Sequence, residues 1–132
     1  EKDPFYSKYI FNKKKVIAVS DNLQTLKFLN SLSNNYDIDF LTTMHGNDLV
    51  QRIEDGEVFD LIILEDEARP DSALAILGKL QEAKKGFNVP TIVMLNKNKE
   101  SIKEHYIEDG FSDYLRKENM EEEFDRIIKK YI

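Results

Sequence analysis

Apolar residues fall along this chain in short groups separated by longer amphipathic stretches. Val16-Ile17-Ala18-Val19, Leu61-Ile62-Ile63-Leu64 and Thr91-Ile92-Val93-Met94-Leu95 are nearly uninterrupted runs, each bounded by polar residues. Runs of that length with no alternation predict strands buried on both faces, as in a parallel sheet covered by helices. Tyr36, Ile38 and Phe40 alternate with polar neighbours and predict a half-exposed edge strand. Tyr114-Leu115 begins a fifth short strand that runs out at Arg116-Lys117.

Between these runs the apolar period switches to that of a helix. Thr25, Phe28, Leu29 and Leu32 mark a first helix that fades at Asn34-Asn35; Leu49, Val50 and Ile53 mark a second, closed by Gly56. A third is expected over roughly Ala73 to Lys85, with Leu74, Ile76, Leu77 and Leu80 inward and Gly86 as terminator. A fourth is expected from about Lys99 to Asp109, ended by Gly110-Phe111, where glycine supplies a left-handed cap and phenylalanine the accompanying apolar contact. The last carries Met120, Phe124, Ile127, Ile128 and Tyr131 on one face, with Glu121 to Glu123 in its first turn and Lys129-Lys130 in its last. The acidic run is read as a solvated helix start rather than a site.

Strand and helix thus alternate five times. This predicts an α/β fold, a (βα)5 doubly wound parallel sheet of flavodoxin-like order 2-1-3-4-5 with right-handed crossovers. The domain is expected to span residues 15–132, preceded by a linker or short helix over residues 1–14 that opens at Asp3-Pro4 and carries Phe5, Tyr6, Tyr9, Ile10 and Phe11. In open α/β sheets, sites form outside the carboxyl ends of the strands. The predicted order brings Ser20-Asp21, Glu65-Asp66, Leu95 and Lys117 to one crevice.

Composition narrows the chemistry. The net charge of −6 disfavours nucleic acid and anionic membrane as direct partners. The absence of cysteine removes disulfide and thiolate chemistry and is compatible with a reducing, cytoplasmic setting. No apolar run has membrane-spanning length. The chain opens with Glu1, as expected of a piece of a longer protein, so that a membrane-bound kinase could carry it on the cytoplasmic side. His45 and His105 are far apart in sequence and lack further ligands at metal spacing. No glycine-rich phosphate loop is present, and Asp21-Asn22-Leu23-Gln24 is unlike the small-residue loop a flavin phosphate needs.

From Lys15 to Ile132 the chain resembles the receiver domain of bacterial two-component signalling, most closely the receivers of hybrid histidine kinases. The stretch from Phe87-Asn88-Val89-Pro90 to Asp109-Gly110-Phe111-Ser112-Asp113-Tyr114-Leu115 is especially similar. The resemblance implies an acidic pair after strand 1, a phosphoacceptor aspartate ending strand 3, a Thr or Ser ending strand 4, and a Lys ending strand 5. It also implies magnesium on the acids and phosphoryl transfer from a kinase phosphohistidine.

Against that pattern the site is degenerate. Val19-Ser20-Asp21-Asn22 stands where the family has Val-Asp-Asp-Asn, so Asp21 remains as metal ligand and Ser20 replaces an acid. Counting through strand 3 puts Glu65 at the phosphoacceptor position. Taking Asp66 instead needs an insertion and a compensating deletion. Leu95 replaces the Thr or Ser, and Lys117 is retained, followed by Glu118 rather than proline. Glutamate moves the carboxylate by about one C–C bond, ~1.5 Å, and a misplacement of ~1 Å can cost ~10²-fold in a positioned reaction. Leucine forfeits a charged hydrogen bond of ~1.5–3 kcal/mol.

The expectation is therefore a pseudo-receiver, not an enzyme, acting by protein contact with a histidine kinase or other domains of the same longer chain. No cofactor is expected beyond weak Mg2+. A Glu65–Lys117 ion pair would imitate the negative end of an acyl phosphate. The face of helix 4, strand 5 and helix 5 is expected to dock partners or a second copy through Lys103, His105, Tyr106, Tyr114, Arg116, Asp125 and Arg126. Tyr114, at the position of an aromatic switch, is expected to hold one orientation. The alternatives are a working phosphoacceptor receiver using Asp66 or Glu65 with Mg2+ and, more remotely, a flavodoxin-like small-ligand enzyme.

Overall fold

Each apolar run becomes a strand. In a computed structural model of the chain, β1 (Lys14–Val19), β2 (Ile38–Thr43), β3 (Leu61–Glu65), β4 (Thr91–Leu95) and β5 (Asp113–Arg116) form one sheet. All four neighbouring pairs are parallel and the order is β2-β1-β3-β4-β5. This is the predicted order. The structure describes residues 13–66, 71–96 and 103–132. The expected N-terminal helix therefore lies outside the described residues apart from its last two, as do the loop after β3 and the first turn of the fourth helix.

Helices α1 (Leu23–Ser33), α2 (Gly46–Glu54), α3 (Ala73–Ala83), α4 (Lys103–Glu108) and α5 (Met120–Tyr131) alternate with the strands, and a 3-10 turn, Lys117–Asn119, leads into α5. Alternate residues of each strand point to opposite faces, and two apolar layers result. Val16, Ala18, Leu61, Ile63, Ile92, Met94 and Leu115 face α1 and α5. Ile17, Val19, Ile62, Leu64, Val93 and Leu95 face α2 and α3.

The helical faces differ from expectation in two places. Phe28 and Leu74 are 45% and 49% exposed. In α1 the buried arc is Thr25, Leu26, Leu29, Leu32 and Ser33, and at ~100° per residue Phe28 lies just off its edge. In α3 the arc is Ala73, Ile76, Leu77 and Leu80, which leaves Leu74 outside by the same geometry. Spacing alone does not say which of two overlapping apolar arcs meets the sheet.

Caps and turns fix the ends. Asn22 caps α1, its Oδ1 accepting from the N–H groups of Gln24 and Thr25 at 2.9 and 3.3 Å. Ser72 caps α3 through Ala75. After α4, Gly110 takes φ +118° and the N–H of buried Phe111 donates to the Tyr106 carbonyl at 3.1 Å, the left-handed closure predicted from the sequence. The short turns leave all strand C-terminal ends at one pole.

Candidate functional site

At that pole the register brings the ends of β1, β3, β4 and β5 side by side: Val19 opposite Leu64, Glu65 opposite Met94, and Leu95 opposite Arg116. Ser20 and Asp21 follow β1, Glu65 ends β3 with Asp66 next, Leu95 ends β4, and Lys117 follows β5. The convergence expected from topology is therefore present.

Glu65 is the centre of the site. It is 7% exposed, and both of its carboxylate oxygens are engaged. The Ser20 hydroxyl donates to Oε1 at 2.5 Å. The Lys117 ammonium pairs with Oε2. Ser20, fully buried, also accepts from the Asn22 N–H at 3.0 Å, so its hydroxyl both donates and accepts. A carboxylate buried at this depth needs a cation and hydrogen-bond donors to offset its lost hydration. The extra methylene of glutamate carries the group to both at once.

Asp66 is 8% exposed and held differently. Its Oδ2 accepts from the Tyr106 hydroxyl at 2.9 Å, its N–H donates to the Met94 carbonyl at 3.0 Å, and its own carbonyl accepts from Ala73 at 3.1 Å. The chain is thus fastened on both sides of the β3 turn. Asp21 is exposed at the mouth. Among the described residues no group of three carboxylates or histidines is arranged to hold a metal ion.

Leu95 has no exposed surface. It sits in the apolar layer that also takes up Phe111, Tyr106 and Tyr114. Tyr114 is half-buried, its ring flanked by two cations, Lys103 Nζ at 4.9 Å and Arg126 Cζ at 5.4 Å from the centroid.

Two readings of the sequence require correction. Glu123 is not a solvated helix start: it is 5% exposed and accepts from the Arg116 N–H at 3.1 Å and from the Arg116 and Arg126 guanidinium groups. Buried Asp113 accepts from Arg126, Lys130 and the Tyr131 hydroxyl. Burial pushes both carboxyls up, but hydrogen bonds and cationic neighbours outweigh it and hold them below the ordinary carboxylate range. Second, Asp125 leaves the expected docking face. It accepts from the Tyr36 hydroxyl at 2.5 Å on the opposite side of α5. Burial and then that hydrogen bond push the Tyr36 phenol up to about 12.

Sequence reasoning missed the donor role of Ser20, which it read only as a lost acid, and the inward turn of Tyr106. The signal for Tyr106 was slight: one polar-tipped aromatic on a short helix facing a strand end with two acids. His45 and His105 are both exposed.

No protein-family model matches the sequence, and no curated protein matches it. Solved structures do. A putative response regulator from Chloroflexus aurantiacus superposes with a TM-score of 0.80 at 16% identity, over 91% of this chain and 98% of that one. The receiver domain of the sensor histidine kinase PA1611 from Pseudomonas aeruginosa, with magnesium in its active-site cleft, gives 0.77 at 18% identity over 90% and 97%. The chemotaxis response regulator CheY4 of Vibrio cholerae gives 0.76 at 15% identity over 92% and 100%. At such identities the likeness is one of fold, and the fold is that of the response-regulator receivers.

Proposed function

We propose that this chain is a degenerate receiver, a non-catalytic signalling module of a two-component or hybrid-kinase system that works by protein contact and not by phosphotransfer. The observation that carries the reading is the occupation of Glu65. Both of its oxygens are already satisfied, by Ser20 and by Lys117. A phosphoacceptor needs one carboxylate oxygen open to attack phosphorus and a metal to neutralise the incoming charge. Leu95, fully buried at the end of the neighbouring strand, places hydrocarbon where the resemblance implies a hydroxyl.

The same geometry supports a fixed output. The Glu65–Lys117 pair sets a negative group against the lysine after β5, and Lys103 and Arg126 lie within cation–π reach of the Tyr114 ring beside α4, β5 and α5. A histidine kinase, another domain of a longer chain or a second copy would read that surface. Tyr114→Ala in the folded protein is expected to weaken such association. An anion-binding enzyme is disfavoured by the surroundings: the groove of about 550 Å³ beside Lys117 is rimmed by Glu118, Glu121 and Glu122.

The test is titration with beryllofluoride and magnesium, followed by amide NMR. The expected result is no saturable shift at Glu65, Asp66 or Leu95. Saturable, magnesium-dependent shifts there would establish the competing reading, a working phosphoacceptor on Asp66 or Glu65.

A further inference from the structure

Helices α1 and α5 pack on the same face of the sheet, and two adjoining grooves run along their outer edges. The larger, of about 550 Å³, has Phe28 of α1 facing Glu118, Glu121 and Glu122 around the start of α5. The smaller, of about 260 Å³, has Leu32 and Asn35 facing Glu121, Glu122 and Asp125. Glu121 and Glu122 line both, so the two make one furrow along the helix pair. Each wall is a helical stripe. Phe28, Leu32 and Asn35 recur at i, i+4 and i+7; Glu118, Glu121, Glu122 and Asp125 recur at i, i+3, i+4 and i+7.

The two walls differ in kind. The α1 wall carries no charge, and Phe28 is 45% exposed while every other phenylalanine among the described residues is buried or half-buried. Covering that ring returns ~25 cal/mol for each Å² of apolar surface removed from water. The α5 wall is anionic. Glu123 is neutralised by Arg116 and Arg126, Asp125 pairs with Lys129 at 3.0 Å, and Lys117 is committed to Glu65. Glu118, Glu121 and Glu122 are exposed and form no ion pair among the described residues. The helix dipole favours acids in the first turn of α5, but it accounts neither for Glu118, which precedes the helix, nor for the bare ring across the furrow.

We infer that this furrow docks a basic amphipathic helix of a partner protein, with apolar side chains on Phe28 and Leu32 and lysines or arginines along Glu118, Glu121 and Glu122. A furrow between two packed helices takes a third helix by the ordinary meshing of side-chain ridges, and an apolar stripe edged by cations matches its two walls. A small polyamine would satisfy the acids and leave Phe28 bare. The furrow shares no residue with the surface of Lys103, Tyr114 and Arg126, and its use does not depend on whether Glu65 accepts phosphate.

The probe is a synthetic lysine–leucine peptide of about four helical turns, leucines on one face and lysines beside them. It is titrated into the full, isotopically labelled chain and read on the backbone amides by NMR. Saturable shifts are expected at Phe28, Leu32, Asn35 and from Glu118 to Glu122, with Lys103 and Tyr114 unmoved. Phe28→Ser should weaken binding at least about tenfold, and so should Glu118→Gln, Glu121→Gln and Glu122→Gln combined. Unfolding midpoints should hold in both variants, because the altered side chains are exposed. The same peptide with glutamate for lysine should leave the spectrum unchanged. Absence of saturable shifts would overturn the assignment, as would shifts spread over other exposed acids such as Asp37, Asp39 and Glu54. Undiminished binding by Phe28→Ser would do the same. Spermine giving the same shifts at equal affinity would also overturn it, and make the furrow a site for small polycations.

Discussion

Replacing Leu95 with threonine installs the residue type that the receiver resemblance implies at the end of the fourth strand, and the outcome tests whether that position is apolar or retains polar partners. Leu95 has no exposed surface and lies in an apolar layer with Val93, Phe111 and the ring of Tyr114. Threonine removes two carbons, worth ~0.8 kcal/mol each in transfer, and leaves part of that volume empty. Its hydroxyl, if unpartnered in that layer, adds ~1–3 kcal/mol. The expected loss is about 2.5–4.5 kcal/mol. Leu95→Val is the control, with nearly the shape of threonine and no hydroxyl, and should lose only ~1–2 kcal/mol. Urea melts measure both, since a slope of ~1–3 kcal/mol per M for a small protein turns such losses into readable midpoint shifts. The reasoning is refuted if threonine is as stable as valine or more so. The hydroxyl would then have found partners, and the polar geometry of a working site would survive beneath the leucine.

Lys117→Met should destabilise by about 2–4 kcal/mol in denaturant melts, somewhat less than a fully buried broken pair because Lys117 keeps 20% exposure; an unchanged midpoint would mean that the Glu65 pair is solvent-screened. Gly46→Ala should cost ~1–3 kcal/mol by overpacking, since an added Cβ would lie 2.2 Å from Ile76 Cδ1, and Ile76 is itself buried between α2 and α3. Stability should also fall in acid. Asp113 and Glu123 are held below their ordinary values in the folded chain, so their stabilisation is complete above pH ~5 and is lost as pH drops through the ordinary carboxylate range near ~4 toward the depressed folded values. Thermal melts between pH 6 and pH 2.5 check this, and Asp113→Asn should flatten the profile; midpoints independent of pH in the wild-type chain would remove the network from the account.

The sheet was legible because parallel strands buried on both faces print as unbroken apolar runs, and Val16–Val19, Leu61–Leu64 and Thr91–Leu95 are such runs. The meeting of Ser20, Glu65, Leu95 and Lys117 followed from strand order alone. What stayed hidden depended on side-chain direction. Phe28 and Leu74 sit one residue from a buried neighbour, and a shift of ~100° separates core from solvent. Glu123 is one of three consecutive glutamates, and only the position of Arg116 and Arg126 around it selects that one for burial. Tyr106 points at Asp66 because α4 packs there, and spacing carries no trace of that.

The pairing of Ser20 with Glu65 has a consequence for how this chain can change. Consider the two substitutions that would install the acids the receiver resemblance implies, Ser20→Asp and Glu65→Asp. The first alone sets a second buried carboxylate against Glu65, acceptor facing acceptor, with only Lys117 between them and the bulk charge deficit. The second alone draws the carboxylate back by ~1.5 Å and breaks both of its contacts. Each single step is expected to cost stability, and because the two side chains touch, their effects should not add. The Ser20–Glu65 contact thus acts as a lock on both positions: neither side chain changes alone without cost to the other.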